Sequence, residues 1–341
     1  MAKDGLRDVI AQEFVKALSE DKIPWNSMWA SQRAYNVTTG KNYKGVNAMW
    51  LSYVAGEKGY TDPRWCTFKQ AADKGWHVKK GEKSTVVEYW SAYDKKERKK
   101  LSFAEAEKLI RDDPAREVDI TVFAKSACVF NAAQIDGIPQ LEQPAQIDIA
   151  TVRGQRDTLL QNMGVEFHEG GDQAYYSPSE DAITMPIAGA FENDYAYMST
   201  LLHEAGHATG HESRFNRPMG GGFGSEMYAK EELRAEIASA FTAQALGFGA
   251  EQAQLSASMD NHKAYIQSWA KAIKDAPKEL FAAIKDAEKI SDYLIEKGEF
   301  DRVERAAEIE PPALDDQIKG ATAPERPERP ESRQKMAEWS R

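Results

Sequence analysis

Three of the six histidines in this 341-residue chain lie within the stretch LLHEAGHATGH, residues 201–211. His203, Glu204 and His207 form an H-E-x-x-H pattern. On an α-helix, four residues turn the chain by about 400°, so His203 and His207 stand about 40° apart on one face and about 6 Å apart along the axis. Two imidazoles so placed can take adjacent corners of one tetrahedral zinc ion, and Glu204 beside them can take a proton from water at that centre. Met198, Leu201 and Leu202 give the same helix an apolar side, while Ala205 and Gly206 are small enough to let another element pack close. A match at three fixed positions can arise by accident on an exposed helix. The helical setting and an acidic segment downstream favour the metal site.

Such an ion needs a third protein donor. His211, four residues beyond His207, would lie about 12 Å from His203 along a straight helix, too far to share an ion with it. Gly210 could break the helix and swing the chain back, but zincins with a third histidine after a glycine turn place it where this chain has Ser213. His211 is therefore read as supporting a ligand from behind or lying on the surface. The better candidate is a carboxylate from EELRAEIASAF. Glu232 is chosen, with the small residues Ala235 and Ala238 beside it, and Glu236 and Glu231 as alternatives. Glu236, one turn on, could orient a ligand. Two histidines and Glu232 leave one corner open, the arrangement of a hydrolytic rather than a purely structural site. In that reading Glu204 is the catalytic base and one Zn2+ ion, or another divalent metal, is the cofactor. Tyr228 could stabilise an oxyanion, and a core tyrosine is equally compatible. The run GGGFGS has no Gly-Lys-Ser/Thr after it and is not a phosphate-binding loop.

Positioning these groups takes several elements. FENDYAYMSTLLHEAGHATGH reads as one helix and MYAKEELRAEIASAFTAQAL as a second, with helical spacing continuing to about residue 298. A helix over 151–163 and strands in VEFHEG and QAYYSPSEDAITMP precede them. The strand around Ala182–Met185 is expected to be a sheet edge on which an extended peptide could be laid. In the N-terminal part, apolar positions at Leu6, Val9, Ile10, Phe14 and Leu18 predict a helix that ends before Pro24. A further helix is expected from Asn47 as N-cap, a short one in TFKQAADKG, and strands in KKGEKSTVVEYWSAYD and VDITVFAKSACVFNAAQ. LSFAEAEKLIRDDP (101–114) is read as a helical insertion. The fold class is α+β with two domains: a mixed N-terminal domain over 1–136, a proline-containing linker over 137–148, and a mostly helical domain with a small sheet over 149–300. Residues 301–341 are charged and proline-rich, and disorder is expected there.

Charge separates the two parts. Residues 1–135 carry 23 Lys+Arg against 18 Asp+Glu, net +5, while the remainder carries 21 against 36, within an overall net charge of −10. Six of the eight tryptophans fall in the positive part. Aromatics beside lysines are how single-stranded nucleic acid is commonly held, bases stacking on rings and phosphates meeting cations. Trp25, Lys41, Tyr43, Lys44, Lys79, Lys80 and Lys83 are the candidate contacts, against an alternative in which the tryptophans are core and the lysines solvated turns. Cys66 and Cys128 sit in apolar surroundings and are read as buried thiols, which fits a reducing compartment. No apolar leader or uncharged span is evident, and a cytoplasmic protein is expected.

The stretches NVTTGKNYKGVNAMWL (36–51) and VFNAAQIDG (129–137), with PW at 24–25, resemble the N-terminal domain of ArdC-type antirestriction proteins. The H-E-x-x-H segment together with YAKEELRAEIASAF looks like the zincin-like metallopeptidase domain that follows it in that family. The likeness covers about residues 5–298; the 94–117 insertion and the C-terminal tail lie outside it. The resemblance implies a non-specific single-stranded DNA-binding domain fused to a peptidase-type zinc site. Such proteins are carried by conjugative plasmids and other mobile elements and protect incoming DNA from host restriction. His203, Glu204 and His207 carry over directly, and Glu232 less closely. The expected partners are single-stranded DNA and a host protein or peptide substrate, with no membrane. The alternative is a metallopeptidase whose first domain recognises a protein. A third reading, an accessory domain akin to those fused to plasmid primases, ranks last because no primase motif is evident.

Overall fold

The computed structural model describes residues 5–29, 32–141, 149–220, 225–247 and 259–300. Its described helices are α1 (Leu6–Ser19), α2 (Asn26–Trp29), α3 (Gly45–Lys58), α4 (Phe68–Asp73), α5 (Phe103–Asp112), α6 (Ile149–Gly154), α7 (Arg156–Met163), α8 (Asp194–Ala208), α9 (Glu226–Leu246), α10 (Met259–Asp275) and α11 (Pro277–Lys297). The strands are β1 (Tyr35–Asn36), β2 (Arg64–Thr67), β3 (His77–Val78), β4 (Thr85–Asp94), β5 (Lys99–Ser102), β6 (Ile120–Asn131), β7 (Ile135–Asp136), β8 (Glu166–Glu169), β9 (Tyr175–Ser177) and β10 (Ala182–Met185). This is the α+β class expected from the sequence. No described helix is long and apolar enough to cross a membrane.

Backbone contacts divide the chain into two compact units, one of Met1–Lys83 with Phe130–Ile309 and a smaller one containing Ser84–Val129. Beside a smaller cluster of Cys66, Ala71 and Ile135, the larger unit is built on one large apolar core. The helical stripe Ile10, Phe14 and Leu18 of α1 is buried in it, together with Trp25, Met28 and Met49. The same core holds Leu201 and Leu202 of α8, Ile237 and Phe241 of α9, Trp269 of α10 and Leu280, Ile284 and Leu294 of α11. Trp25 meets Trp269 edge-on, ring centroids 5.3 Å apart. An ion pair seals the rim of this core: Arg33 reaches Glu288 of α11 at 2.5 Å, and the same carboxylate accepts from the backbone N–H of Gly45 at 3.0 Å. The N-terminal helices thus fold against the helices that follow the histidine motif. The residues between, 142–148, are outside the description, as are 221–224 of the glycine-rich loop and the tail from 301.

In the small sheet of this unit, β10 runs between β8, parallel, and β9, antiparallel. The expectation of a free edge at Ala182–Met185 is therefore corrected: both backbone sides of β10 are already paired. Asp181, just before β10, has φ +50, a conformation tolerated by Asp. Its carboxylate is gripped by the Arg214 guanidinium and accepts from the Tyr176 hydroxyl at 2.8 Å. Helix α3 begins at Gly45 with Lys44 at the cap, three residues earlier than the Asn47 cap expected.

The smaller unit is an antiparallel sheet with β4 between β5 and β6. Ser102 caps α5, accepting from the Glu105 N–H while Glu105 returns to the Ser102 N–H. This helix buries Ala106 against Ala92 and Ile120, with Leu101, Leu109, Ile110 and Val122 around them. The helix expected in LSFAEAEKLIRDDP is present as α5, and the basic run before it forms a turn and the short strand β5. Cys66 is buried as expected, but Cys128 is exposed, because strand alternation turns it away from the buried neighbour Val129.

Candidate metal centre

Helix α8 starts at Asn193, whose side chain accepts from the Ala196 N–H at 2.8 Å, and has Asp194 in its first turn where the helix dipole favours an anion. Leu201, Leu202, Ala205 and Ala208 are fully buried and fix which face looks inward. Helix α9 is capped by Ser225, accepting from the Tyr228 N–H at 3.2 Å. The two helices meet where both sequences are small: a Cβ built at Gly206 would lie 3.5 Å from the Ala235 Cα. This approach brings the glutamates of α9 over the histidines of α8.

The Nε2 atoms of His203 and His207 are 3.1 Å apart, and the rings stand nearly perpendicular, at 83°. Glu232 faces both, with one oxygen 3.6 Å from the His203 Nε2 and the other 3.3 Å from the His207 Nε2. One donor atom from each of His203, His207 and Glu232 falls within a 4.8 Å group. Donors about 2.0–2.1 Å from a tetrahedral ion lie about 3.3–3.4 Å from one another, so this spacing and this nitrogen–oxygen donor set fit a divalent metal. Glu204, the neighbour of His203, is 8% exposed.

Behind the donors stands a second layer of carboxylates. Glu231 lies 3.4 Å from the His207 Nδ1, and Glu236 lies 3.4 Å from the His203 Nδ1. A carboxylate on the far ring nitrogen fixes the tautomer and aims the near nitrogen at the centre. Arg217 holds Glu231 in turn, with Nη2 2.5 Å and Nε 3.1 Å from its two oxygens. The same guanidinium donates to the Gly206 carbonyl at 2.9 Å and the Thr209 hydroxyl at 2.7 Å, tying the end of α8 to α9. Glu231, Glu232 and Glu236 are all buried, which corrects the alternative that some of them are solvated. The packing has electrostatic consequences. Burial disfavours a charged His207, but hydrogen bonds to Glu231 and Glu232 outweigh it and push its pKa up to about 10. Burial likewise acts to raise Glu232, yet the two imidazoles hold its carboxyl far below the usual range. Both directions come from carboxylates packed against imidazoles: protons on the rings balance the acidic oxygens, and a bound cation would displace them, because a metal takes neutral imidazole.

The chain turns away after Ala208: the Gly210 N–H returns to the His207 carbonyl at 2.8 Å, and the Arg217 N–H to the Gly210 carbonyl at 2.9 Å. A Cβ at Gly210 would lie 2.6 Å from the Met219 sulfur and 3.0 Å from the His207 carbonyl oxygen, so only glycine fits this turn without displacement. His211 consequently faces elsewhere, its Nδ1 2.8 Å from the Ser213 hydroxyl and 3.5 Å from Asp181. Tyr228 is half-buried in the first turn of α9.

Comparison with known proteins places the chain in a family. Residues 4–130 match the profile of the N-terminal domain of anti-restriction factor ArdC, and residues 154–286 that of a zincin-like metallopeptidase. A crystal structure of the antirestriction protein ArdC from plasmid R388, in its Mn(II)-bound form, superposes with a TM-score of 0.66 at 29% identity, covering 86% of this chain and 98% of that one. An uncharacterised protein of Sinorhizobium fredii, y4eC, is 32% identical over 81% of this chain and 85% of its own length. The chain belongs to the ArdC antirestriction family. Two proteins of Escherichia coli named DNA primase TraC are 41% and 39% identical to this ArdC-type chain over 304 residues. The chain spans only 20% and 27% of their lengths. The reading ranked last from the sequence, kinship with a segment of plasmid primases, thus has relatives bearing that name.

The sequence-derived DNA contacts of this ArdC-type chain are distributed unevenly. Lys41, Lys44, Lys79, Lys80 and Lys83 are exposed, and Lys79 donates to the Ala133 carbonyl at 2.8 Å. Tyr43 is partly buried against the core, and burial pushes its hydroxyl up to about 12. Trp25 is fully buried against Trp269 and presents no ring face to a base, a correction to its reading as a stacking residue. Its apolar surface was needed by the core more than by a ligand. Arg217 was missed altogether, since a lone arginine after a glycine turn carries no spacing signal. Exposed Phe68, Tyr89 and Tyr93 were also missed as aromatic surface.

Proposed function

We propose that this protein is an antirestriction factor of a mobile genetic element that binds single-stranded DNA non-specifically, works in the cytoplasm and carries a zinc site of peptidase type. The observation that carries the catalytic half is the convergence of His203, His207 and Glu232 donor atoms within 4.8 Å, with buried Glu204 adjoining. In this reading those three residues hold one Zn2+ ion. When bound, the ion supplies Lewis acidity toward a carbonyl and toward water. Glu204 takes the proton that water gives up, and its burial excludes bulk solvent from that exchange. Glu231 and Glu236 keep the imidazoles aimed. The substrate is a host protein or peptide.

Metal analysis of the purified protein beside His203→Ala tests this. The wild type is expected to hold one divalent ion per chain and the variant to lose it; equal metal in both would remove the site. Glu204→Gln is expected to keep the ion while abolishing hydrolysis of peptide substrates, and full hydrolysis by this variant would reject the base.

For the DNA half, the support is the family, the net charge of +5 over residues 1–135 and the row of exposed lysines. The occurrence of the segment in proteins named as DNA primases adds a nucleic-acid context. The competing reading, an N-terminal domain that recognises a protein, gains from the burial of Trp25. Salt separates the two: affinity for an oligonucleotide should fall steeply with rising salt, whereas docking on an apolar protein surface should change little.

A further inference from the structure

The smaller unit carries a sheet face that neither the family reading nor the sequence-derived contacts use. In β4, alternate residues Tyr89, Ser91 and Tyr93 share one side. The register of the sheet sets Tyr89 opposite Lys125, Ser91 opposite Phe123 and Tyr93 opposite Thr121 on β6. On the other flank, Tyr93 is opposite Lys100 and Ser91 opposite Ser102 on β5. One face therefore presents three aromatic rings and two lysines, with no acidic residue among these positions. The opposite face at this end is the one covered by α5, through Ala92 and Ile120. Tyr89 and Tyr93 remain 41% and 36% exposed, which is unusual for two tyrosines on a central strand. The Lys125 ammonium sits 5.2 Å from the centre of the Phe123 ring.

Charge extends from this face into the adjoining turn. Lys95, Lys96, Arg98, Lys99 and Lys100 are all exposed at the β4–β5 end, against Glu97 alone among the exposed residues there. The nearby Asp94 is buried and already bound to Arg116 at 2.6 Å. Along a strand, Tyr89 and Tyr93 are about 13 Å apart, with Phe123 on the neighbouring strand between their levels. Rings at intervals along a groove of cations are the arrangement that stacks successive bases without reading their sequence.

We infer that the Tyr89–Tyr93–Phe123 face of β4 and β6, flanked by Lys100, Lys125 and the basic β4–β5 turn, is the docking surface for single-stranded DNA. This inference rests on the single-stranded DNA reading and gives it a location distinct from Lys41, Lys44, Lys79, Lys80 and Lys83. Fluorescence anisotropy of the full-length protein with a labelled oligodeoxythymidylate of about 16 nucleotides tests it. Tyr89→Ala and Tyr93→Ala should each weaken binding roughly 5- to 150-fold, whereas Tyr89→Phe, which keeps the ring, should bind like the wild type. A double variant, Lys100→Ala with Lys125→Ala, should reduce the slope of log affinity against log salt by about 1.4. Melting temperatures of the variants, expected within a few degrees of the wild type, separate lost contact from lost fold. If the wild type binds and all of these variants bind equally well, the face is not the site and the DNA reading stands elsewhere on the molecule. If the wild type fails to bind the oligonucleotide at low salt, the DNA reading itself is overturned, and this inference with it.

Discussion

Histidine side chains are useful ligands only when something decides which nitrogen carries the proton. Here Glu231 and Glu236 approach the Nδ1 atoms of His207 and His203, and Arg217 anchors Glu231. Glu231→Gln and Arg217→Ala should therefore each weaken metal affinity about 10- to 100-fold without removing a donor, as read by competition with a chromophoric chelator. A loss as complete as that of His203→Ala would instead mean that Glu231 is itself a ligand. At this scale much was legible. The spacing of His203, Glu204 and His207 specified a shared face, and Glu232 stood out because small residues follow it on the same helix. Which of the three glutamates would face both imidazoles depended on the rotation of α9 about its axis. A run of neighbouring acids does not encode that rotation.

At the scale of elements, the contact that sets the site is the small-residue crossing of α8 and α9. A Cβ at Gly206 would already be in van der Waals contact with Ala235. Ala235→Leu should force the helices apart at a cost of about 1–3 kcal/mol and carry Glu232 away from the histidines. Calorimetry should show a lower melting temperature, and metal analysis a loss out of proportion to the remaining folded fraction. Retained metal would show that the crossing can relax without moving the carboxylate. Both helices were readable from apolar periodicity. The order of the small sheet was not: β10 pairs with β8 and β9 through backbone groups that every residue possesses, so nothing in Ala182–Met185 announces a central strand. The hairpin in the basic insertion escaped for a related reason, since its lysines and arginines obscure the alternation of β5.

On the scale of the whole molecule, the N-terminal helices α1 to α3 share a core with the helices around the candidate metal centre. Trp25 records this most directly, being rich in tryptophan-and-lysine context yet wholly buried against Trp269. Trp25→Ala should cost about 3–5 kcal/mol by opening a cavity, lowering the melting temperature while leaving the oligonucleotide affinity of the folded protein unchanged. An affinity lowered several-fold in the folded variant would return Trp25 to the binding surface. The sequence displayed two compositional halves, but charge and tryptophan content report what a segment exposes or contains, not which neighbour covers it. The shared core also bears on how such proteins can diversify. Recombination that joined one family member's front half to another's rear half would have to match α1 to unfamiliar α10 and α11 surfaces, so inheritance of the two as a single block is favoured over piecemeal shuffling.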